Sequence, residues 1–330
     1  MPQPEIGSGI GRLASPEGLQ NPELIELRNT AVEAVLASAR IVWSYYDGQP
    51  VDDSRIEWKA DETPKTMADV AGDARIVEIL RDKYPHDDIL VEESGYHKAF
   101  DLRRGEEAQR IWYADSLDGS RPFIEGKPEF TCGVQVDNKK TGEYLAGAIV
   151  YPGRRQLLWA VRGHGTYLVK LDDQFRPTGE AKRVHVSSKT SLNGATIAYD
   201  SLFKTTNDYL KDAALKSLRD FAMEDAEREG KELTFSHDSF GSNIAYEADV
   251  AKGATLFGLT DCIGGIWDAK GGGEATICEA GGTMIDLLTG ETPTIDSGVV
   301  VYGNKELVAR VQSRLAEVYT DYKGFAPKKK

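Results

Sequence analysis

Leu24, Leu27, Ala31, Val35 and Ile41 recur at helical spacing behind Asn21, a residue suited to capping, with Pro22 and Glu23 in the first turn. Gly48-Gln49-Pro50 ends that helix. A second helix is predicted from about Ala68 to Tyr84, with Val70, Ala74, Ile76, Ile79 and Leu80 as its buried side. After Pro85 the pattern becomes strand-like. Asp88–Val91 and Ile111–Ala114 read as short buried strands that end in acidic residues. Thr131–Val136, Tyr144–Tyr151, Gln156–Val161 and Thr166–Val169 read as an antiparallel meander, with turns at Lys139–Gly142, Pro152-Gly153 and Gly163–Gly165.

The charged stretch Asp172–Lys182 is the expected boundary between an N-terminal α+β half, 21–182, and a C-terminal α/β half, 183–330. Beyond it, strands are expected at Ala195–Tyr199, Thr255–Leu259 and Gly298–Tyr302. Helices are expected at Asn207–Arg228, Ser242–Ala251, Trp267–Ala280 and from Asn304 through Tyr319. Such alternation points to an α/β layer. Residues 1–20, rich in Gly, Pro and Ser, read as a flexible segment.

Composition narrows the class. A chain of 330 residues with 40% hydrophobic and 28% charged positions can bury a core without staples. No apolar run approaches the roughly 20 residues of a membrane helix, and the N-terminus lacks the order of a signal peptide, so a cytoplasmic address is expected. Cys132, Cys262 and Cys278 show no CxxC pair and read as buried free thiols. The net charge of −13 disfavours nucleic acid and anionic membrane as partners. It does not exclude a phosphate ester, because bound divalent cations invert the local field.

The chemistry gathers in four segments: Glu92-Glu93-Ser94-Gly95; Asp115-Ser-Leu-Asp118-Gly119-Ser120; Trp267-Asp268, followed later by Glu279-Ala280-Gly281-Gly282; and Thr63-Pro64-Lys65-Thr66-Met67-Ala68-Asp69. Open α/β sheets bind ligands at the carboxyl ends of their strands, and carboxylates massed there need a cation. Magnesium takes such oxygen ligands and bridges to phosphate. The turn after Asp115 can also present the Leu117 carbonyl, while Gly119 lets backbone approach an anion and Ser120 offers a hydroxyl. Taken alone, Asp115-x-x-Asp118-Gly119 is a common turn. It is not a calcium loop, since Gly126 stands where a twelfth-position Glu belongs. No HExxH, G-x-S-x-G or phosphate-loop motif occurs, and His86 and His97 read as surface loop residues.

Together and in this order, the segments resemble the inositol monophosphatase family of lithium-sensitive, magnesium-dependent phosphatases. Gly147–Pro152, Arg162–Gly165 and Val250–Gly253 are similar to further family segments, and the likeness runs from roughly Asn21 to Tyr319. The resemblance implies a five-layered αβαβα sandwich of the inositol monophosphatase and fructose-1,6-bisphosphatase type, and a homodimer. It implies that Glu92, Asp115 and the Leu117 carbonyl hold one Mg2+, and that Asp115, Asp118 and Asp268 hold a second. Asp69 and Glu92 would serve a third, with Mn2+ as a substitute. Gly119 and Ser120 would bind phosphate, and water activated near Glu92 and Ser120 would attack in line. Asp261 would contact substrate hydroxyls, although a turn residue is an equal reading.

The expected substrate is a small phosphorylated polyol, sugar or nucleotide, foremost inositol monophosphate, favoured by the short interval from Glu93 to Asp115. Fructose 1,6-bisphosphate, adenosine 3′,5′-bisphosphate and histidinol phosphate are alternatives, as is a non-catalytic regulatory protein. Lys252 and Arg121 are candidates for a second phosphate. The chain departs from the family pattern with Ser116 for proline, Ser120 for threonine and Lys65 for an apolar residue. Its Asp268–Glu279 spacing is one residue longer, a difference that Lys270–Gly273 is expected to absorb.

Overall fold

The structure, a computed structural model, describes residues 20–59, 64–99, 107–199, 208–238, 241–261, 266–294 and 297–320. The first helix, α1 (Pro22–Tyr45), starts as its sequence dictates: the Asn21 side chain accepts the Glu23 and Leu24 amides at 3.0 and 3.4 Å. A two-stranded ribbon, β1 (Glu57–Trp58) with β2 (Pro64–Lys65), leads into α2 (Met67–Lys83). The main sheet then forms from β3 (Asp88–Val91), β4 (Gly95–His97), β5 (Arg110–Asp118), β6 (Thr131–Asn138), β7 (Tyr144–Tyr151), β8 (Gln156–Val161), β9 (Gly165–Leu171) and β10 (Pro177–Val184). Its strand order is β10-β9-β8-β7-β6-β5-β3-β4, with only the β3–β5 pair parallel. The short helix α3 (Ser120–Ile124) follows β5 directly.

The second sheet holds β11 (Ala195–Tyr199), β12 (Phe235–Asp238), β13 (Phe257–Asp261), β14 (Gly282–Asp286) and β15 (Val299–Asn304), in the order β12-β11-β13-β15-β14. Helices α5 (Asn243–Ala251), α6 (Trp267–Lys270) and α7 (Gly273–Glu279) lie between the sheets, touching β6 and β7 on one side and β13 and β14 on the other. Helices α1 and α2 cover the outer face of the first sheet, while α4 (Asp208–Glu229) and α8 (Lys305–Thr320) cover that of the second. The result is the expected αβαβα sandwich. Three apolar clusters seal the layers against one another, the first of them holding the fully buried Trp112 and Trp159. No described helix is long and apolar enough to cross a membrane.

Several local expectations are corrected. Val70 and Ala74 are exposed, not buried; the inner face of α2 carries Ala68, Asp69, Gly72, Asp73, Ile76, Ile79 and Leu80. Two aspartates turn this helix inward toward polar partners, which an apolar count cannot anticipate. The helix expected over Trp267–Ala280 breaks at Gly271-Gly272, where Gly272 has φ +103°. Lys270–Gly273 thus forms a kink between two short helices. A Cβ on Gly272 would come within 2.9 Å of the Ala148 carbonyl, so this strand approach requires glycine. The strand expected at Thr255–Leu259 lies two residues later, and the charged stretch after Asp172 includes β10, paired antiparallel to β9. Most of the 1–20 segment lies outside the described residues.

Candidate functional site

Asp69 sits in the first turn of α2 because Thr66 caps that helix. Its carboxylate accepts the Thr66 amide at 2.7 Å and the Thr66 hydroxyl at 2.6 Å, closing a capping box. Its other oxygen receives the Ser120 hydroxyl at 2.8 Å. Ser120 is positioned by Gly119, whose φ of +95° turns the chain sharply out of β5; a Cβ there would press on Ser242 and the Glu129 carbonyl. The Leu117 carbonyl also lies 3.1 Å from the Ser120 hydroxyl. Ser120, Leu117 and Asp69 therefore meet at one point.

Glu92 and Glu93 follow β3, parallel to β5, so they lie beside the β5 bulge that begins at Asp115. Lys59 reaches in from β1's end: its ammonium is 2.8 Å from Glu92 Oε1 and also pairs with Glu93, which Lys65 contacts at 3.1 Å. Burial pushes the Glu92 carboxyl up to about 7; Lys59 opposes this and Glu93 reinforces it. Lys65 and Lys59 together thus neutralise Glu93.

Asp115 is buried at the end of β5, where its carboxylate accepts the Leu117 amide at 2.8 Å. Its pKa is raised well above the usual carboxylate range by burial and by repulsion from Glu92, Asp118 and Asp73. Asp118 reaches across to the second half of the fold. It accepts the Ile244 amide at 2.8 Å, the Asn243 amide at 3.3 Å, the Thr131 hydroxyl at 3.2 Å and the Ser242 hydroxyl. Burial raises its pKa, and these donors hold it down.

Asp268 lies in α6 and Asp261 at the end of β13; their backbones are placed, while their side chains lie outside the description. Lys252 is not available for a second phosphate, being largely buried in a 2.7 Å ion pair with Asp249 and bonded to Gln156. Arg121 is exposed. His97 is a strand residue, in β4, with its ring 2.8 Å from the Ser94 hydroxyl. Cys132 is a buried free thiol and Cys278 a half-buried one; Cys262 lies outside the described residues.

The donor set fits a hard divalent cation. Asp115 is repelled by Glu92 and Asp118, and of these three carboxylates only Glu92 is paired with a lysine, Lys59; this is the arrangement that a cation relieves. Among the described residues no three such side chains by themselves close around a common point, and Asp268 is the remaining donor of the expected set. Sequence reading missed Lys59, Asp73, Thr131 and Ser242. Asp73 was legible as the residue one turn beyond Asp69 on the same helix face, whereas the others meet the site only through tertiary folding.

The sequence model of the inositol monophosphatase family matches residues 23–319. The chain belongs to the inositol monophosphatase family. A Nus factor SuhB of Pasteurella multocida is 26% identical over 89% of this chain and 97% of its own length. A histidinol-phosphatase of Streptomyces coelicolor is 30% identical over 46% of this chain and 52% of its own. The crystal structure of the extragenic suppressor protein SuhB from Bartonella henselae superposes with a TM-score of 0.70, at 23% identity, over 87% of this chain and 97% of that one. The relatives thus carry different names, Nus factor in one case and histidinol-phosphatase in the other.

Proposed function

We propose that this family member is a magnesium-dependent phosphomonoesterase acting on a small phosphorylated polyol or sugar, foremost inositol monophosphate. The observation that carries the reading is the 2.8 Å bond from Ser120 to Asp69 beside the massed carboxylates of Glu92, Asp115 and Asp118. Glu92, Asp115, the Leu117 carbonyl, Asp118 and Asp268 would hold two ions, and Asp69 with Glu92 a third. When bound, these ions supply the positive charge that phosphoryl transfer requires and acidify water.

The chain's own residues do the rest. Gly119 and Ser120 receive the phosphate. Ser120 holds a hydrogen bond toward Asp69, so a proton leaving an attacking water has a route from the serine hydroxyl to a carboxylate. Thr66 keeps that carboxylate from rotating. Asp261 would accept substrate hydroxyls. A cytoplasmic homodimer, sensitive to lithium and without a nucleic-acid or membrane partner, completes the proposal; the net charge of −13 supports the last part.

The second reading is a regulatory protein without turnover. The Nus factor name of one relative favours it, and so does the engagement of Asp118 by four donors of its own chain. Phosphate release decides between them, measured on inositol monophosphate, fructose 1,6-bisphosphate, adenosine 3′,5′-bisphosphate and histidinol phosphate, with and without Mg2+ and with added Li+. Mg2+-dependent release that is lost in Asp118→Asn supports the enzyme. No release from any ester, with Asp118→Asn indistinguishable, sinks it.

A further inference from the structure

Asp73 lies one turn after Asp69 on the inner face of α2 and is only 1% exposed. One carboxylate oxygen accepts the Glu93 amide at 3.0 Å, across 20 residues of chain. The other is buried with no hydrogen-bond partner among the described residues. Ser116 lies against the same carboxylate while donating its hydroxyl to the Asp69 carbonyl at 3.0 Å. Gly72 makes room for this arrangement: a Cβ there would fall 2.7 Å from the Ser116 Cβ and 2.9 Å from the Ser38 hydroxyl.

One side chain therefore touches three of the four segments that carry the candidate ligands; α6, with Asp268, is the fourth. It belongs to the helix of Asp69, fixes the turn of Glu92 and Glu93, and meets the bulged end of β5 that runs from Asp115 to Asp118. A proline at position 116 would stiffen that bulge by itself. Here the serine leaves it freer and supplies a hydroxyl, so stiffness has to come from α2. The position of the buried Asp73, unlike that of a surface acid, has no solvent explanation, since burying a carboxylate costs free energy unless it serves a partner.

We propose that Asp73 is a positioning residue for the divalent-ion site, holding the Glu92–Glu93 turn against the bulged Asp115–Asp118 end of β5 and thereby setting ion affinity without touching phosphate. This rests on the metal-dependent reading above. The partners that orient metal ligands change affinity by roughly 10–100-fold when removed.

The test is calorimetric titration of MgCl2 into the full chain, its Asp73→Asn and Asp73→Ala variants, and Ser116→Ala, with thermal unfolding of each protein with and without Mg2+. Asp73→Ala is expected to weaken Mg2+ binding about 10-fold or more. Asp73→Asn should weaken it less, since its amide oxygen still accepts the Glu93 amide. Ser116→Ala should weaken it several-fold and carries the test if Asp73→Ala does not fold. The Mg2+-induced rise in melting temperature is expected to shrink in the same order. A merely structural role would lower the Mg2+-free melting temperature and leave that rise unchanged, which would overturn the inference. Unchanged affinity in all three variants would overturn it as well. Absence of Mg2+ binding by the unaltered protein would instead overturn the metal reading, and this inference with it.

Discussion

The Asp118 carboxylate accepts the Ile244 amide at 2.8 Å, so a residue ending a strand of the first sheet caps a helix lying against the second. Ser242 strengthens this junction twice, donating its hydroxyl to Asp118 and accepting the Ala245 amide at 3.2 Å. Ser242→Ala removes a hydrogen bond to a charged group and a helix cap together. A loss of about 2 kcal/mol in urea denaturation is expected, while Ser242→Thr keeps both contacts and most of the stability. An alanine variant within about 0.5 kcal/mol of the parent would show that Asp118 is held by the amides alone.

Ser120 offers a cleaner separation of chemistry from folding, because it is only half-buried. Ser120→Ala leaves Asp69 with its Thr66 bonds but removes the hydroxyl between it and the phosphate site. Under the proposed function, kcat falls by roughly 10²–10⁴-fold with the unfolding midpoint nearly unchanged. Ser120→Thr retains the hydroxyl and should keep most activity. Steady-state phosphate release on any accepted ester checks both, and an alanine variant as active as the parent removes the serine from the mechanism.

The first helix and the meander strands were legible because their signals are local: the Asn21 cap, alternation in Thr131–Val136, glycine turns; the five-layer order came from the family resemblance. The motif of Asp115 through Ser120 was equally legible, and the structure brings Asp69 to its Ser120 and Glu92 near its Asp115. What the sequence hid was relational. Val70 and Ala74 look like a buried stripe, yet α2 rotates to seat Asp69 and Asp73, whose partners Ser120 and Glu93 come from other elements. Lys59 lies far from Glu92 in sequence, and nothing in its neighbourhood announces the ion pair. The break inside Trp267–Ala280 was visible as three glycines, but its cause, close approach of β6 and β7, is tertiary.

That close approach predicts a glycine that cannot be replaced. A Cβ on Gly133 of β6 would stand 1.8 Å from the Gly271 carbonyl, a backbone atom that has nowhere to go. Gly133→Ala must therefore push α6 away from the sheet, at a cost of about 3 kcal/mol in urea denaturation. Because α6 carries Asp268, Mg2+ affinity measured by titration should fall in the same variant, while Gly142→Ala, at a turn with open space, should leave affinity unchanged. Wild-type affinity in Gly133→Ala would mean that Asp268 is not a ligand or that α6 tolerates the displacement.

The same helix pair predicts a pH-dependent defect away from the catalytic residues. Lys270 is buried between Asp137 at 2.6 Å and Glu274 at 2.9 Å, with the Gln135 amide donating to both acids. Burial lifts the Asp137 carboxyl to about 6, with Lys270 pulling it back and Glu274 pushing it further up. A folded pKa above the unfolded value means that the native state holds this proton more tightly. The contribution of Asp137 is thus most favourable below pH of about 4 and is lost as pH rises through about 6. Burial alone would lower the Lys270 pKa, but its acid partners raise it on balance, so its stabilising share persists across neutral pH and fades only in strong alkali. Lys270→Met leaves two buried acids facing each other. The expected loss is about 3–5 kcal/mol at pH 8, shrinking at pH 5, where a proton replaces the lysine. Urea denaturation of parent and variant at the two pH values measures it, and an equal loss at both would show that the acids escape to solvent instead of titrating in place.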